Sequence, residues 1–420
     1  MEHRSKRRYL GLAILMWGGG TIYNLPFIRY ILYEPLREAL NLNHEDFGLT
    51  MSAYGVCAVI SYFPGGWLAD RFSARKLLTL AYLTTSLAGF YFATLPSFYM
   101  TVAIHAFWGV SAILIFWAVL IKACKDLAYS DEQGRFFGLL ECGRGIITTV
   151  ASFICLSIYS QYEGTADVLT GVRLSIISQA VVTLLAAFLT WFFFIDVPPT
   201  RTEETSLLTD IKSTVKMPMV WAAAFMVFSC YSARVLASYA NPYFNNVFAI
   251  SASMAGVLAI IWNYVCQFMG GPIGGFIADK IGHRPKVLCI CFVVMTVFFL
   301  PFVLTPGDSA YVVFLGITTT AVFMAIFAIR GLYFAVIDDM HIPPHIIGSA
   351  IGFISFIGFC PDIFIYPLAG RILDSYPGID GYRMLFWIAI GCGLCGSIIA
   401  GLVTLKVNQY RASLKAAGVG

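Results

Sequence analysis

Seven ionisable residues sit inside otherwise apolar stretches and are the ones most able to do chemistry: Arg29, Lys122, Arg144, Arg234 and Arg330 against Glu141 and Asp362. A charge in such surroundings costs several kcal/mol unless it is paired or hydrated. Glu141 and Arg144 are three residues apart, a spacing at which helical side chains meet. Arginine grips carboxylate, phosphate or sulfonate through paired donors, so the surplus of cations points to an anionic ligand. A buried Asp362 or Glu141 can instead carry a proton. Plainer readings exist for each: a self-satisfied Glu141–Arg144 pair, Lys122 as a helix-end anchor, Arg29 snorkelling to a surface, or arginines held by backbone carbonyls. Tyr23, Asn24, Tyr231, Trp262, Asn263 and Gln267 are uncharged groups able to orient a small solute, or to glue helices together.

The elements that must position these residues are helices in lipid. Of 420 residues, 59% are hydrophobic and 12% charged, about half the roughly 25% charge of a soluble domain. Apolar stretches near 9–33, 46–69, 76–95, 98–121, 135–158, 173–195, 218–242, 252–278, 286–305, 309–336, 345–370 and 382–405 predict twelve membrane-spanning helices. The formal charge of +4 lies in short clusters between spans, which suits topology and not nucleic acid. Lysine and arginine mark the N-terminus, the Arg71–Lys76 and Lys280–Lys286 turns and the tail, so both termini are expected in the cytoplasm. The eleven cysteines are scattered through apolar segments and predict no disulfide framework; Cys392 and Cys395 form a CxxC with no nearby histidine. No cleavable leader is expected after Arg4–Arg8.

The longest polar connector divides the chain into 1–196, a linker at 197–217, and 218–420. Across it the sequence repeats. Gly48 answers Gly256, Asp70 answers Asp279, Lys122 answers Arg330 and Gly171 answers Gly381, at offsets of 208, 209, 208 and 210 residues. A shared offset implies two homologous six-helix halves, as in two-bundle transporters. HExxH, a usable GxSxG, a metal-ligand cluster and a nucleotide-binding loop are all missing, so no enzyme, metal or cofactor is expected.

The motifs Gly66-Trp-Leu-Ala-Asp70-Arg71-Phe-Ser-Ala-Arg75-Lys76 and Gly275-Phe-Ile-Ala-Asp279-Lys280-Ile-Gly282-His-Arg284-Pro-Lys286 resemble the loop 2–3 signature of the major facilitator superfamily. The first copy departs from it at Ser73 and Ala74. Gly19–Pro26, Gly134–Gly145 and Gly270–Gly275 are similar to bacterial YihN-like inner-membrane members. Arg144 stands where drug antiporters of the superfamily carry proline, and His105 where they carry arginine, which argues against drug efflux. The resemblance implies an all-α polytopic fold of twelve transmembrane helices in two pseudo-symmetric six-helix bundles. It implies a cavity lined by spans 1, 4, 7 and 10, and gating by Asp70, Arg71, Asp279, Lys280 and Arg135. The expected protein is a monomeric inner-membrane secondary transporter taking up a small organic anion, coupled to protons through Asp362 or Glu141. Arg144, Arg234, Arg29, Arg330, Tyr23, Asn24, Tyr231, Asn263 and Trp262 are its expected substrate contacts. Export, anion exchange, a neutral or zwitterionic nutrient, and a transporter-like sensor remain alternatives.

Overall fold

Long apolar runs without strand alternation satisfy their backbone polar groups within helices, and helices are what form. The computed structural model describes residues 2–129, 132–195, 214–333, 335–340 and 347–416, of which 2–6, 63, 70, 134, 338, 347–349 and 414–416 are described only in their backbone. Most of the 197–217 linker lies outside the described residues.

Twelve helical rods follow one another: α1 (Glu2–Thr21), α2 (His44–Arg71), α3 (Ala74–Phe92), α4 (Phe98–Leu127), α5 (Gln133–Ser160), α6 (Val168–Phe193), α7 (Pro218–Phe248), α8 (Ala252–Ile281), α9 (Arg284–Leu304), α10 (Val312–Leu332), α11 (Ile347–Gly358 and Pro361–Ser375) and α12 (Ile379–Ala416). Among the described residues nine of them, α4 to α12, are long and apolar enough by themselves to cross a membrane. In α2 the apolar run is diluted by glycines, serines and tyrosines, residues suited to close packing and to a cavity wall.

The first span departs from its expected 9–33 range. Regular helix ends at Thr21, and turns lead through a 3₁₀ segment (Ile28–Tyr30) to a short helix (Tyr33–Ala39). Gly18–Gly20 explain the close packing before this break: a methyl group at Gly20 would stand 2.8 Å from the Arg144 carbonyl oxygen. The two signature turns are built differently. Ser73 caps α3 by accepting a hydrogen bond from the Lys76 N–H at 3.3 Å. Gly282 instead ends α8 in a left-handed conformation, φ 69°. The departure at Ser73 therefore keeps a sharp turn by other means.

Packing repeats between the halves. Contacts of α3 with α6, α2 with α4 and α1 with α5 have counterparts in α9 with α12, α8 with α10 and α7 with α11. The halves meet where α2 lies along α11 and α5 along α8. Buried side chains form two clusters. One lies in the first half alone, towards the chain termini, and includes Leu12, Leu78, Phe116, Leu120 and Phe136. The other runs through the second half and joins the first half's opposite end at Ile28, Tyr33, Phe47, Met51, Cys155 and Tyr159. The halves are thus fused at the end remote from the termini and apart at the terminal end.

Candidate functional site

A cavity of about 1030 Å³ occupies the space between the halves. Towards the terminal end it is lined by Gly66, Ala69, Lys122, Lys125 and Asp126 of the first half and by Ile351 and Gly352 of the second, which form its mouth; its closed end is formed by Tyr30, Tyr54, Tyr231, Arg234 and Asp362. Among the described residues, five basic side chains (Lys122, Lys125, Arg144, Arg234, Arg330) and three acidic ones (Asp126, Glu141, Asp362) line it.

Arg144 projects from the middle of α5 and is held on three sides. Its Nη1 pairs with Glu141 Oε1 at 2.5 Å, its Nε donates to the Gly19 carbonyl at 3.1 Å, and its guanidinium carbon lies 5.5 Å from the Trp117 ring centre. Gly19 makes this possible, since any Cβ there would meet the Arg144 side chain at 2.9 Å. Lys122 donates to the Ala69 carbonyl at 3.1 Å, and Arg330 lines the second half's wall with Tyr333. Asn24 is buried and donates to Gln179 Oε1 at 2.9 Å, while Tyr23 donates to the Ala112 carbonyl at 3.3 Å; both reach the cavity.

At the closed end, Asp362 from α11 is 5% exposed and Arg234 from α7 is 9% exposed. Tyr231, one turn before Arg234, donates to Asp362 Oδ2 at 2.8 Å. Arg234 Nη1 donates to the Tyr30 hydroxyl at 3.2 Å, and that hydroxyl shares a 2.5 Å hydrogen bond with Tyr366. Arg234 Nε and Asp362 Oδ1 are buried and have no hydrogen-bond partner among the described residues. Burying such atoms without a partner costs a few kcal/mol.

Three of the residues singled out in the sequence do not line the cavity. Arg29 is 3% exposed and donates to the Phe47 carbonyl at 3.0 Å, its guanidinium enclosed by the rings of Phe47, Tyr366, Tyr33 and Tyr239 at 4.3–6.0 Å. It belongs to an aromatic plug beyond the closed end, not to a surface-reaching side chain. Trp262 turns towards α10 and donates to Thr320 Oγ1 at 3.2 Å; Asn263 donates back to the Ala259 carbonyl at 3.0 Å. Residues overlooked in the sequence do line it: Tyr54, Ala58, Tyr62 and Gly66 of α2. Their spacing of four residues was a readable signal of one helix face. It was hidden because tyrosine in an apolar run also reads as packing.

The remote end is sealed by close contact between α2 and α11. A methyl group at Gly48 would lie 2.4 Å from the Tyr366 carbonyl oxygen, and one at Gly370 would lie 2.1 Å from that of His44. Asp374, at the end of α11, accepts from the His44 and Glu45 N–H groups at 3.1 and 2.7 Å, capping the start of α2. Glu163, following α5, accepts from the Ser253 N–H at 3.2 and 3.3 Å at the start of α8. The two caps are related by the internal repeat. Each places a carboxylate on the positive end of a helix from the other half.

At the terminal end, Arg71 stacks on Trp67 at 4.4 Å. Asp279, Lys280 and Arg135 are exposed, and the side chain of Asp70 lies outside the described ones. The ion pairs described there each stay within one half: Arg8 with Glu132 at 2.6 Å, and Asp339 with Arg411 at 3.1 Å and with Arg284 at 3.8 Å.

Known proteins agree with this geometry. Residues 9–363 match the model of the Major Facilitator Superfamily. The chain is 30% identical to inner membrane protein YihN of Escherichia coli (strain K12), covering 98% of this chain and 99% of the relative. It is also 30% identical to inner membrane protein YqcE of the same strain, over 95% of each. A crystal structure of a mutant of the nucleoside transporter NupG superposes with a TM-score of 0.76 at 14% identity, covering 95% of this chain and 99% of that one, a likeness of fold. Twelve helices in repeated halves, a central polar cavity and a family match over most of the length lead to one conclusion: the chain is an integral membrane protein belonging to the Major Facilitator Superfamily of transporters.

Proposed function

We propose that this protein takes up a small organic anion by alternating access, with proton symport through Asp362. The observation that carries the reading is the cavity's charge: among the described residues, five basic side chains against three acidic ones, in a space otherwise walled mostly by aromatic and apolar groups, with Asn24, Thr148, Gln267 and Ser355 among them. In such low-dielectric surroundings a cation surplus stabilises an anion more than it would in water. Arg144 is pre-oriented by Glu141 and Gly19, which lowers the ordering cost of gripping a carboxylate, phosphate or sulfonate. Asp362 touches one hydroxyl and shares the closed end with Arg234. A carboxylate so placed can take a proton from one side and lose it when the cavity turns to the other.

The proposed topology puts both termini in the cytoplasm of a bacterial inner membrane, with a first bundle at 1–196, a connector at 197–217, a second bundle at 218–420 and a single chain as the working unit. The shape described above is then the state open to the cytoplasm. Asp70, Arg71, Asp279, Lys280 and Arg135 close that side in the opposite state.

Proteoliposomes test the reading. Uptake of D-gluconate, glycerol 3-phosphate, a short-chain sulfonate and L-glutamate is to be measured with an imposed pH gradient, and proton entry followed with an internal dye. One anion should accumulate together with protons. Arg144→Gln and Arg234→Gln should each cut that uptake by about ten-fold or more, the effect of losing a charge-assisted hydrogen bond. Unchanged uptake in both variants defeats the anion reading, and anion uptake without proton entry defeats the coupling.

A further inference from the structure

The closed end of the cavity asks for more than an anion. Among the described residues, Arg234 Nε is a donor without an acceptor, and Asp362 Oδ1 is an acceptor without a donor. Both belong to side chains that are at least nine-tenths buried and line the same end. The Tyr54 and Tyr62 hydroxyls on the facing side of α2 have no hydrogen-bond partner among the described residues. Their rings are fixed by aromatic neighbours, Tyr54 edge-on to Phe27 at 5.1 Å and Tyr62 stacked with Phe359 at 5.8 Å.

A simple inorganic anion answers little of this. Nitrate or sulfate supplies acceptors alone, leaves Oδ1 of the ionised Asp362 unmatched, and gains nothing from ring faces. An aliphatic acid uses the rings but also brings no donor. A carbon chain bearing both an acid group and several hydroxyls satisfies each feature. Its acid oxygens accept from arginine. Its hydroxyls donate to Asp362 and exchange hydrogen bonds with Tyr54 and Tyr62, and its C–H edges lie on the aromatic walls.

We infer that the substrate is a polyhydroxylated organic acid of the sugar-acid type, its hydroxyls read by Asp362, Tyr54 and Tyr62. The inference rests on the anion reading above and narrows it. Tyr54 and Tyr62 are then specificity-determining residues, which reject analogues lacking hydroxyls because unmatched polar groups would be left in the closed pocket.

The test is equilibrium binding to the purified full-length protein, read by quenching of tryptophan fluorescence and by thermal shift. Four probes share a similar carbon skeleton or charge: D-gluconate, hexanoate, D-glucitol and L-glutamate. Gluconate is expected to bind at least about ten-fold more tightly than hexanoate, the equivalent of one well-made hydrogen bond. Tyr54→Phe and Tyr62→Phe keep the rings, so the fold should survive, as an unchanged unliganded melting temperature would show. Together they should erase the preference for gluconate while leaving the hexanoate affinity alone. If hexanoate binds as tightly as gluconate, or the double variant keeps the preference, the hydroxyl inference is overturned and the anion reading stands. If glucitol matches gluconate, or no acid binds, the anion reading falls and takes this one with it. Glutamate binding more tightly than gluconate overturns the inference in favour of a zwitterion.

Discussion

Arg29 and Arg234 are both buried arginines near the same tyrosines, and their surroundings give them different work. Every direction around Arg29 is filled by a ring or a carbonyl, whereas Arg234 keeps an unpartnered Nε at the cavity's end. Arg29→Met should therefore lower stability by about 2–3 kcal/mol, from the lost carbonyl hydrogen bond and cation–π contacts, and leave probe affinity in place. Arg234→Met should cost less stability, since an unsatisfied donor leaves along with the Tyr30 hydrogen bond, and should weaken probe binding by removing a ligand contact. Melting temperature and probe affinity, measured side by side on the two variants, check this; matching profiles would show that the two arginines share one role. Glycines act at the same scale. Gly370→Ala puts a methyl group 2.1 Å from the His44 carbonyl oxygen, so α2 and α11 must part. Labelling of a cysteine introduced beside Gly48 should become faster at the remote end.

Among the elements, the twofold-related caps deserve to be treated as a pair. Asp374 on the start of α2 and Glu163 on the start of α8 join opposite halves at the remote end. A carboxylate at a helix N-terminus contributes about 0.3–1 kcal/mol, up to about 2 when partly buried. Two such contacts suffice to move a two-state equilibrium several-fold to tens-fold. Asp374→Asn combined with Glu163→Gln is expected to shift the population towards the form open at the remote end. Distances between spin labels placed at the outer ends of α2 and α11 would lengthen. Each single variant should give about half the free-energy shift, because the caps lie on separate seams. A distance distribution identical to that of the parent protein would show that the caps do not set the balance.

For the whole molecule, the division of the core explains how motion is possible. One buried cluster is shared by both halves at the remote end, and another belongs to the first half alone at the terminal end. A rocking motion about the cavity need only break the shared layer and form a new one at the opposite side, keeping each bundle's own packing. The expected signature is unequal reactivity. Cysteines introduced at Ala69 and Ile351, which line the mouth, should react with a hydrophilic thiol reagent and be protected when a tight-binding probe closes that end. Reactivity unaffected by any bound probe would argue against closure on this side.

How much of this was legible in the sequence follows from how local each physical cause is. Lipid penalises every unpaired charge wherever it stands, so the helical rods, the repeated halves and the need of Arg144, Arg234, Arg330 and Asp362 for a polar interior could be read from composition, spacing and offset, and all four line the cavity. The signature turns were readable from their resemblance to the superfamily's loop motif, although Ser73 makes the sharp turn by capping where that motif has glycine. Other features depend on which helix faces meet, and pairwise packing across some 200 residues leaves no local trace. That is why Arg29 proved to be enclosed, why Trp262 and Asn263 turned away from the cavity, and why the Tyr54–Tyr62 stripe was overlooked. The sequence by itself determined a two-bundle helical protein with charge inside its spans, because burial of charge and periodicity act residue by residue. Only the tertiary structure decided which charges share a cavity, which end is shut, and which carboxylates bridge the halves there, because those depend on contacts between halves that the chain makes only after both have folded.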